Sequence, residues 1–395
     1  MERLKYVILR APSIHMPEFG MAALAVGPSG VGAEAIGELE VATAELDSRE
    51  AGELRRDPAV LSFAPVMELK LHEPLVDEEE SNEQEVTWGV EAVAADTSPF
   101  VGSGVTVAVL DTGIDSGHEA FQGTTIIEKD FTGEGNGDPH GHGTHCAGTV
   151  FGKSVGGLRI GVAPGVDRAL IGKVLSSRGR GSTEEIVQAV QWALSEGANV
   201  ISMSLGIDFP GVVDRIEAGG VPRKAAVSMG LEAYRANINV FGRLAAFARS
   251  RGSIFQASII VAATGNESDR PNFEVAVAPP AAADDIFAVG AVGPSPNGLT
   301  VARFSNTKAD ICAPGVGIRS AATGGGIRSL SGTSMATPHV AGVAALWAAK
   351  LLQTSGRIDT TALAARLIGS GSYAPLAGGF NAGDVGTGVV QAPQP

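Results

Sequence analysis

Three short segments of this 395-residue chain hold side chains with catalytic potential. The first, Val105-Thr-Val-Ala-Val-Leu-Asp111-Thr-Gly, is an apolar run that ends in a carboxylate. An Asp at the end of a buried strand is held rigid by the sheet and shielded from water, which is what orienting an imidazole requires. The second, His140-Gly-His142-Gly-Thr-His145-Cys146-Ala-Gly148, crowds three imidazoles and a thiol among small residues. Two readings compete there: a metal cluster, or one catalytic base with bystanders. A closed metal site wants a further Cys, His or carboxylate ligand at suitable spacing, and a metalloprotease wants His-Glu-x-x-His. Neither spacing occurs, which favours the base. The third segment, Leu330-Ser-Gly332-Thr333-Ser334-Met-Ala-Thr-Pro338-His339, puts a serine where a helix begins. Its hydroxyl then points into a crevice, and the helix N-terminus favours developing negative charge. A plain N-cap serine accounts for Ser334 but not for the whole run.

In chain order these are an Asp, a His and a Ser. Asp111-Thr-Gly, His142-Gly-Thr-His-Cys-Ala-Gly and Gly332-Thr-Ser334-Met-Ala-Thr-Pro-His resemble the three signature blocks of the subtilisin-like serine proteases, and Cys146 beside the histidine block is similar to the proteinase K branch. The resemblance covers residues 86 to 390. It implies a serine endopeptidase in which His142 takes the proton of Ser334 as it attacks the scissile carbonyl and then delivers it to the leaving amine. Asp111 fixes the tautomer and stabilises the imidazolium. An oxyanion hole is implied as well. Ile259-Ile-Val-Ala-Ala-Thr-Gly265-Asn266 delivers a side-chain amide through a tight glycine turn, and Asn266 resembles the family's oxyanion asparagine, donating together with the Ser334 N–H and Thr333.

For substrate binding, Ser177-Arg-Gly179-Arg180-Gly181 and Ser204-Leu205-Gly206 resemble the two edge strands that sandwich an extended peptide by backbone hydrogen bonds. Ala276-Val-Ala278-Pro-Pro280-Ala281 resembles the wall of the primary specificity pocket. The alternative function is a catalytically silent, peptide-binding relative; the intact triad and Asn266 argue against it.

Such side chains need a scaffold that fixes them. From Val86 onward, apolar strands without alternation recur at Val105–Leu110, Arg168–Leu175, Val200–Ser204, Ser258–Ala263 and Ile286–Val292, between helical stretches such as Thr183–Glu196. That pattern predicts an α/β fold: a mostly parallel sheet with helices on both faces, its active site at the carboxyl ends of the strands. Residues 207–256 read as an insertion, helical from Ala225 to Arg251.

Residues 1–72 read as a separate small α+β unit. Lys5–Arg10, Glu38–Leu46 and Ala59–Val66 are its expected strands, and Asp47-Ser-Arg-Glu50 offers a capping box for a short helix through Arg56. In the light of the resemblance, this unit is similar to the family's inhibitory propeptide, an intramolecular partner whose tail, Met67–His72, lies in the active cleft. Residues 73–85, with seven acids and no base, read as a linker, and self-cleavage of the zymogen is expected between about His72 and Glu83.

The formal net charge of −14 has an address. Residues 1–72 contribute −4 and the linker −7, which leaves −3 for residues 86–395. With no basic face either, a nucleic-acid partner is not expected. No run reaches the ~18 consecutive apolar residues of a spanning helix, so no membrane association is expected. Two cysteines, Cys146 and Cys312, suit a reducing compartment. With no signal peptide of the usual design, the expected location is cytoplasmic, and unconventional export is the alternative. Where extracellular relatives bind calcium, through an Asp nine positions past the catalytic one and an Asn-rich loop, this chain has Ala120 and Lys153-Ser-Val-Gly-Gly-Leu-Arg159. No metal or cofactor is needed for the chemistry, and dependence on structural calcium is not expected.

Overall fold

The computed structural model describes residues 3–11, 39–76, 85–252 and 257–395. Its first elements are the strands β1 (Leu4–Arg10), β2 (Glu40–Leu46) and β3 (Val60–Pro65), an antiparallel sheet in the order β2-β1-β3. The short helix α1 (Ser48–Leu54) starts on the capping box: Asp47 Oδ1 accepts from the Arg49 and Glu50 N–H groups, and Glu50 accepts from the Asp47 N–H. The chain then runs as β4 (Glu68–Leu71) and β5 (Leu75–Val76).

After α2 (Trp88–Ala92) come β6 (Thr106–Asp111), β7 (Thr125–Asp130), α3 (His142–Phe151), the hairpin β8 (Ser154–Val155) and β9 (Leu158–Arg159), and β10 (Arg168–Lys173). They are followed by β11 (Arg180–Ser182), α4 (Thr183–Ser195), β12 (Val200–Met203), β13 (Leu205–Ile207), α5 (Phe209–Ala218), α6 (Arg223–Gly252) and β14 (Ile259–Ala263). The chain closes with β15 (Ile286–Ser295), β16 (Gly298–Val301), β17 (Ile311–Pro314), β18 (Ile318–Ala321), β19 (Ile327–Ser331), α7 (Thr333–Ser355), α8 (Thr360–Gly369) and α9 (Ala382–Val385).

The central sheet has the order β16-β15-β14-β12-β6-β10-β7, with β17 also on β15. Its pairings are parallel except β15 with β16. Both faces are covered, which is why the strands read as unbroken apolar runs. Along β6, Val107 and Val109 pack toward α3 and α7, while the alternate residues Ala108 and Leu110 pack toward α4 and α6. From β6 the chain builds first to one side, through β7 and β10, and then to the other, through β12, β14 and β15. The order therefore reverses at β6, and the crevice expected at such a switch point opens at its carboxyl end, where Asp111 sits. Helix α7 is long and apolar enough to cross a membrane, but 78% of its most apolar window is buried inside this fold, as a core helix would be.

Two expected boundaries move. Residues 73–85 are not all linker: Leu75 and Val76 pair antiparallel with Ser331 and Leu330 of β19, because an acidic composition does not stop the residues before it from using an open sheet edge. Residues 77–84 lie outside the described residues. The insertion does not begin at 207, since Ile207 belongs to β13, nor is it an appendage. Val240, Phe241, Leu244, Ala245 and Ala248 of α6 are buried against the sheet, and Asn237 donates to Pro65 O at the end of β3.

The N-terminal sheet does not stand alone. Val7, Leu9, Leu39, Ala64 and Met67 join the same core as α4 and α6. Lys5 pairs with Glu184 at the start of α4, and Met67 exchanges hydrogen bonds with Thr183.

Candidate active site

Asp111 ends β6 and His142 opens α3, both fully buried. One Asp111 oxygen, Oδ1, accepts from His142 Nδ1 at 2.7 Å and from the Thr112 N–H at 2.7 Å, so the imidazole is fixed through Nδ1 and its Nε2 is left without a hydrogen-bond partner. Such close approach needs a glycine: a Cβ on Gly143 would lie 2.2 Å from Gly113 O. The start of α3 is capped from outside by Asp138, which accepts from Gly141 N, Thr144 N, Thr144 Oγ1 and Thr112 Oγ1 at 2.7–2.8 Å. Burial pushes the Asp138 carboxyl upward, but these four donors outweigh it and hold it below the usual carboxylate range. A charged Asp138 thus binds the strand end, through Thr112, to the helix start that carries His142.

Ser334 is the second residue of α7. Four residues later Pro338 has no N–H, so the Ser334 carbonyl loses its intrahelical donor. Ser204 Oγ takes its place at 3.1 Å and the Cys146 thiol approaches at 3.4 Å, tying the serine's backbone to the end of β12 and to α3. The serine hydroxyl lies 3.4 Å from His72 O and 3.4 Å from Ser204 O. It is not hydrogen-bonded to His142, whose Nε2 stays unpartnered.

Asn266 follows Gly265, whose φ of 116° makes the turn after β14. Its Nδ2 points at the same carbonyl, 3.3 Å from His72 O, and also lies 3.2 Å from Glu73 O. Thr333 does not join it as a donor to that oxygen. Its N–H and its hydroxyl both donate to Asn266 Oδ1, at 2.9 and 2.8 Å, which turns the amide so that Nδ2 faces the cleft. The expected oxyanion donor is a positioning residue, because the asparagine's own oxygen competes for its protons.

The chain's own segment 67–73 fills the groove. β4 is the middle strand between β11 and β13, antiparallel to both, with Arg180↔Lys70 and Gly181↔Leu69 on one side and Leu205↔Leu71 and Gly206↔Lys70 on the other. The Gly179 carbonyl accepts from Leu71 N at 2.8 Å. Leu69 and Leu71 are buried beneath. The His72 ring lies over Gly206, where a Cβ would come within 2.5 Å of it and 3.5 Å of Ala278 Cβ. Its Nδ1 is 3.3 Å from Glu267 Oε1. Burial raises the Glu267 carboxyl, but the hydrogen bond and charge of His72, the Asn306 amide and the Lys70 charge outweigh it and hold the group at about 2. A peptide bond, His72–Glu73, is thus presented to a serine hydroxyl and an amide donor, with β5 continuing the strand on the far side.

Residues 102–364 match the profile of the Peptidase_S8 subtilase family. The chain belongs to the subtilase family. It is 37% identical over 317 residues to alkaline elastase YaB of Bacillus sp. (strain YaB), covering 78% of this chain and 69% of that one. It is 33% identical to an intracellular serine protease of Paenibacillus polymyxa, over 71% of this chain and 78% of the relative. To subtilisin E of Bacillus subtilis (strain 168) it is 33% identical, over 82% of this chain and 76% of the relative. The protein is a serine endopeptidase of the subtilisin type.

In this subtilase the three histidines of the second motif do not converge on one point. His145 Nε2 is paired with Ile318 O, and the His140 and His142 ring centroids are 6.3 Å apart. Asp111, His142 and Cys146 do bring ligand atoms within 4.8 Å of one another. The first two are already hydrogen-bonded, and burial together with the Asp111 charge pushes the Cys146 thiol well above its ordinary range, so it stays protonated and a poor ligand. Nor do the residues at the family's calcium position fit a hard cation. Residues 154–159 fold as the tight hairpin β8–β9, Lys153 N donates to Ala120 O, and the Lys153 ammonium reaches Gln122 O. A fixed positive charge sits where oxygen ligands would have to gather.

Sequence reading missed Asp138, Glu267 and Asn306, whose amide holds Thr264 O and Glu267 while its oxygen accepts from the Glu267 and Ser268 N–H groups. For Asp138 a signal was available, an acid just ahead of a helix start. For Asn306 there was none, since it reaches the site from another loop.

Proposed function

We propose that this subtilase is made as a zymogen that cuts its own chain between His72 and Glu73, leaving residues 1–72 as an inhibitory domain and releasing a peptidase that begins beyond the cut. The single observation that carries this reading is the His72 carbonyl, which approaches Ser334 Oγ and Asn266 Nδ2 while its strand is paired on both sides.

In the reaction, His142 Nε2 accepts the Ser334 proton as Oγ forms a bond to the His72 carbonyl carbon. Asp111 keeps the imidazole in the Nδ1–H tautomer and balances the imidazolium charge. Negative charge gathers on the carbonyl oxygen, where the Asn266 amide and the Ser334 N–H donate to it. His142 then passes its proton to the Glu73 nitrogen, the C–N bond breaks, and water enters from the same side to hydrolyse the acyl-enzyme. Other polypeptides take the place of residues 67–76 in later turnovers.

The test is a denaturing gel of the full-length chain beside its Ser334→Ala variant, followed by N-terminal sequencing. The wild type should yield a fragment starting at Glu73, and the variant should stay whole. Identical cutting of both, or a first cut elsewhere, overturns the reading.

A further inference from the structure

Leu69 and Leu71 of the bound strand face the groove, so Glu68 and Lys70 face the other way, and both meet opposite charges. Arg180 Nη1 of β11 and Arg215 Nη1 of α5 grip the Glu68 carboxylate, one on each oxygen, at 2.5 and 2.6 Å. Lys70 Nζ lies 3.2 Å from Asp208 Oδ1. Asp208 also caps α5 by accepting from Gly211 N. Two of the three partners thus come from one short segment, Asp208 to Ala218, which sits at the rim of the groove where β13 hands over to α5.

We infer that this rim is a charge-reading subsite for substrates. It selects an acidic side chain at the fifth position before the cleaved bond, through Arg180 and Arg215, and a basic one at the third, through Asp208. The preferred substrates are peptides of alternating charge and leucine, as in Glu-Leu-Lys-Leu-His. The inference rests on reading residues 67–73 as a strand bound like substrate. It goes further, because charges that served only to hold the N-terminal domain would leave cleavage of other peptides indifferent to charge. All these groups are partly exposed, so each pair is worth a modest factor, about 1.5- to 5-fold in kcat/KM.

Enzyme obtained by self-processing of the full chain is assayed on three internally quenched peptides that share leucines, histidine and the residues after the cut. One carries Glu and Lys at the fifth and third positions, one carries Gln at both, and one carries them exchanged. The expected order of kcat/KM is native, neutral, exchanged, spanning roughly 10-fold or more, and shrinking in 1 M salt as screening shortens to about 3 Å. In Arg215→Glu the preference at the fifth position should invert. Asp208→Asn, which keeps the cap, should lose the preference at the third. The peptide series on the wild type decides the matter even where a variant fails to mature. Equal rates for all three peptides overturn the inference while leaving the protease reading intact. Failure to cut any of them after histidine overturns the reading of the bound strand, and this inference with it.

Discussion

The His72 carbonyl oxygen and the Ser334 hydroxyl lie 3.4 Å apart, across 262 positions of chain. That distance joins two parts of the molecule with separate origins in sequence: the tail of a small N-terminal sheet and the first turn of a core helix. The tail is held by backbone pairing to β11 and β13 before the bond and to β19 after it. Cutting one peptide bond there removes none of the hydrogen bonds on the N-terminal side. The severed domain should therefore stay docked and block the cleft until it is itself degraded.

Asn266 and Thr333 act through one another, and their substitutions should differ in kind. Asn266→Ala removes the donor facing the carbonyl, so kcat should fall by about 10²–10³ with KM little changed, a size taken from the corresponding donor in subtilisin, a member of this family. Thr333→Val keeps the donor and the backbone hydrogen bond to Asn266 Oδ1 but removes the hydroxyl one, so the amide is held less firmly. Its kcat should fall less, about 10-fold, the scale of one neutral hydrogen bond. Steady-state kinetics on a peptide ester separates the two, and equal losses would remove the positioning role from Thr333.

The Asp111–His142 bond sets a second expectation. Asp111→Asn leaves the packing nearly unchanged but favours the wrong tautomer, and kcat should drop about 10⁴-fold at neutral pH. Steady-state kinetics on a peptide substrate measures the loss. A loss below 10-fold would show that the Asp111 charge does no work.

Much of this site could be read from the chain because its parts are written as local strings. Asp111, His142 and Ser334 each sit in a short run whose glycines and small residues serve the same local geometry. The parallel sheet was legible for a related reason, since strands covered on both faces need no polar alternation. What could not be read depends on register between distant segments. Glu68 meets Arg215 only because β4 pairs with β13 and α5 starts just beyond it. Composition marked residues 73–85 as linker, yet pairing of Leu75 and Val76 with β19 depends on backbone groups that composition does not report. Helix α6 read as part of an insertion, yet its later turns carry Phe241 and Leu244 into the core, because what they pack against comes from strands distant in sequence.

Buried histidines make stability depend on pH. Burial holds His145 down at about 3, aided by the Arg328 charge, and burial holds His339 down at about 4. Both are neutral in the fold, while in the unfolded chain they take up protons near 6.5. Below that value the unfolded state binds more protons, so stability falls as pH drops from about 6.5 toward 4, by up to ~2–3 kcal/mol per unit if both contribute fully. Above 6.5 neither has an effect. Urea unfolding of the Ser334→Ala chain between pH 7 and 4.5 should trace this slope, and His339→Gln should reduce it by about one proton. A slope unchanged in that variant would mean His339 is charged or exposed in the native state.

Lys153 gives the last expectation. A two-glycine turn, with φ of 57° at Gly156 and 89° at Gly157, closes the hairpin that stands at the family's calcium position. The Lys153 ammonium bonds Gln122 O there, so the local charge is supplied by the chain and needs no ion. A cation that does not bind the folded state adds no stability, so neither a chelator nor added calcium should move the Tm of the Ser334→Ala chain. Lys153→Met should cost about 1 kcal/mol, the scale of a partly exposed charged hydrogen bond, and lower Tm by roughly 1 °C. Scanning calorimetry with and without chelator checks both parts. A Tm that drops on chelation in the wild-type lysine background would show that a cation binds despite it, and the assignment of Lys153 would have to be given up.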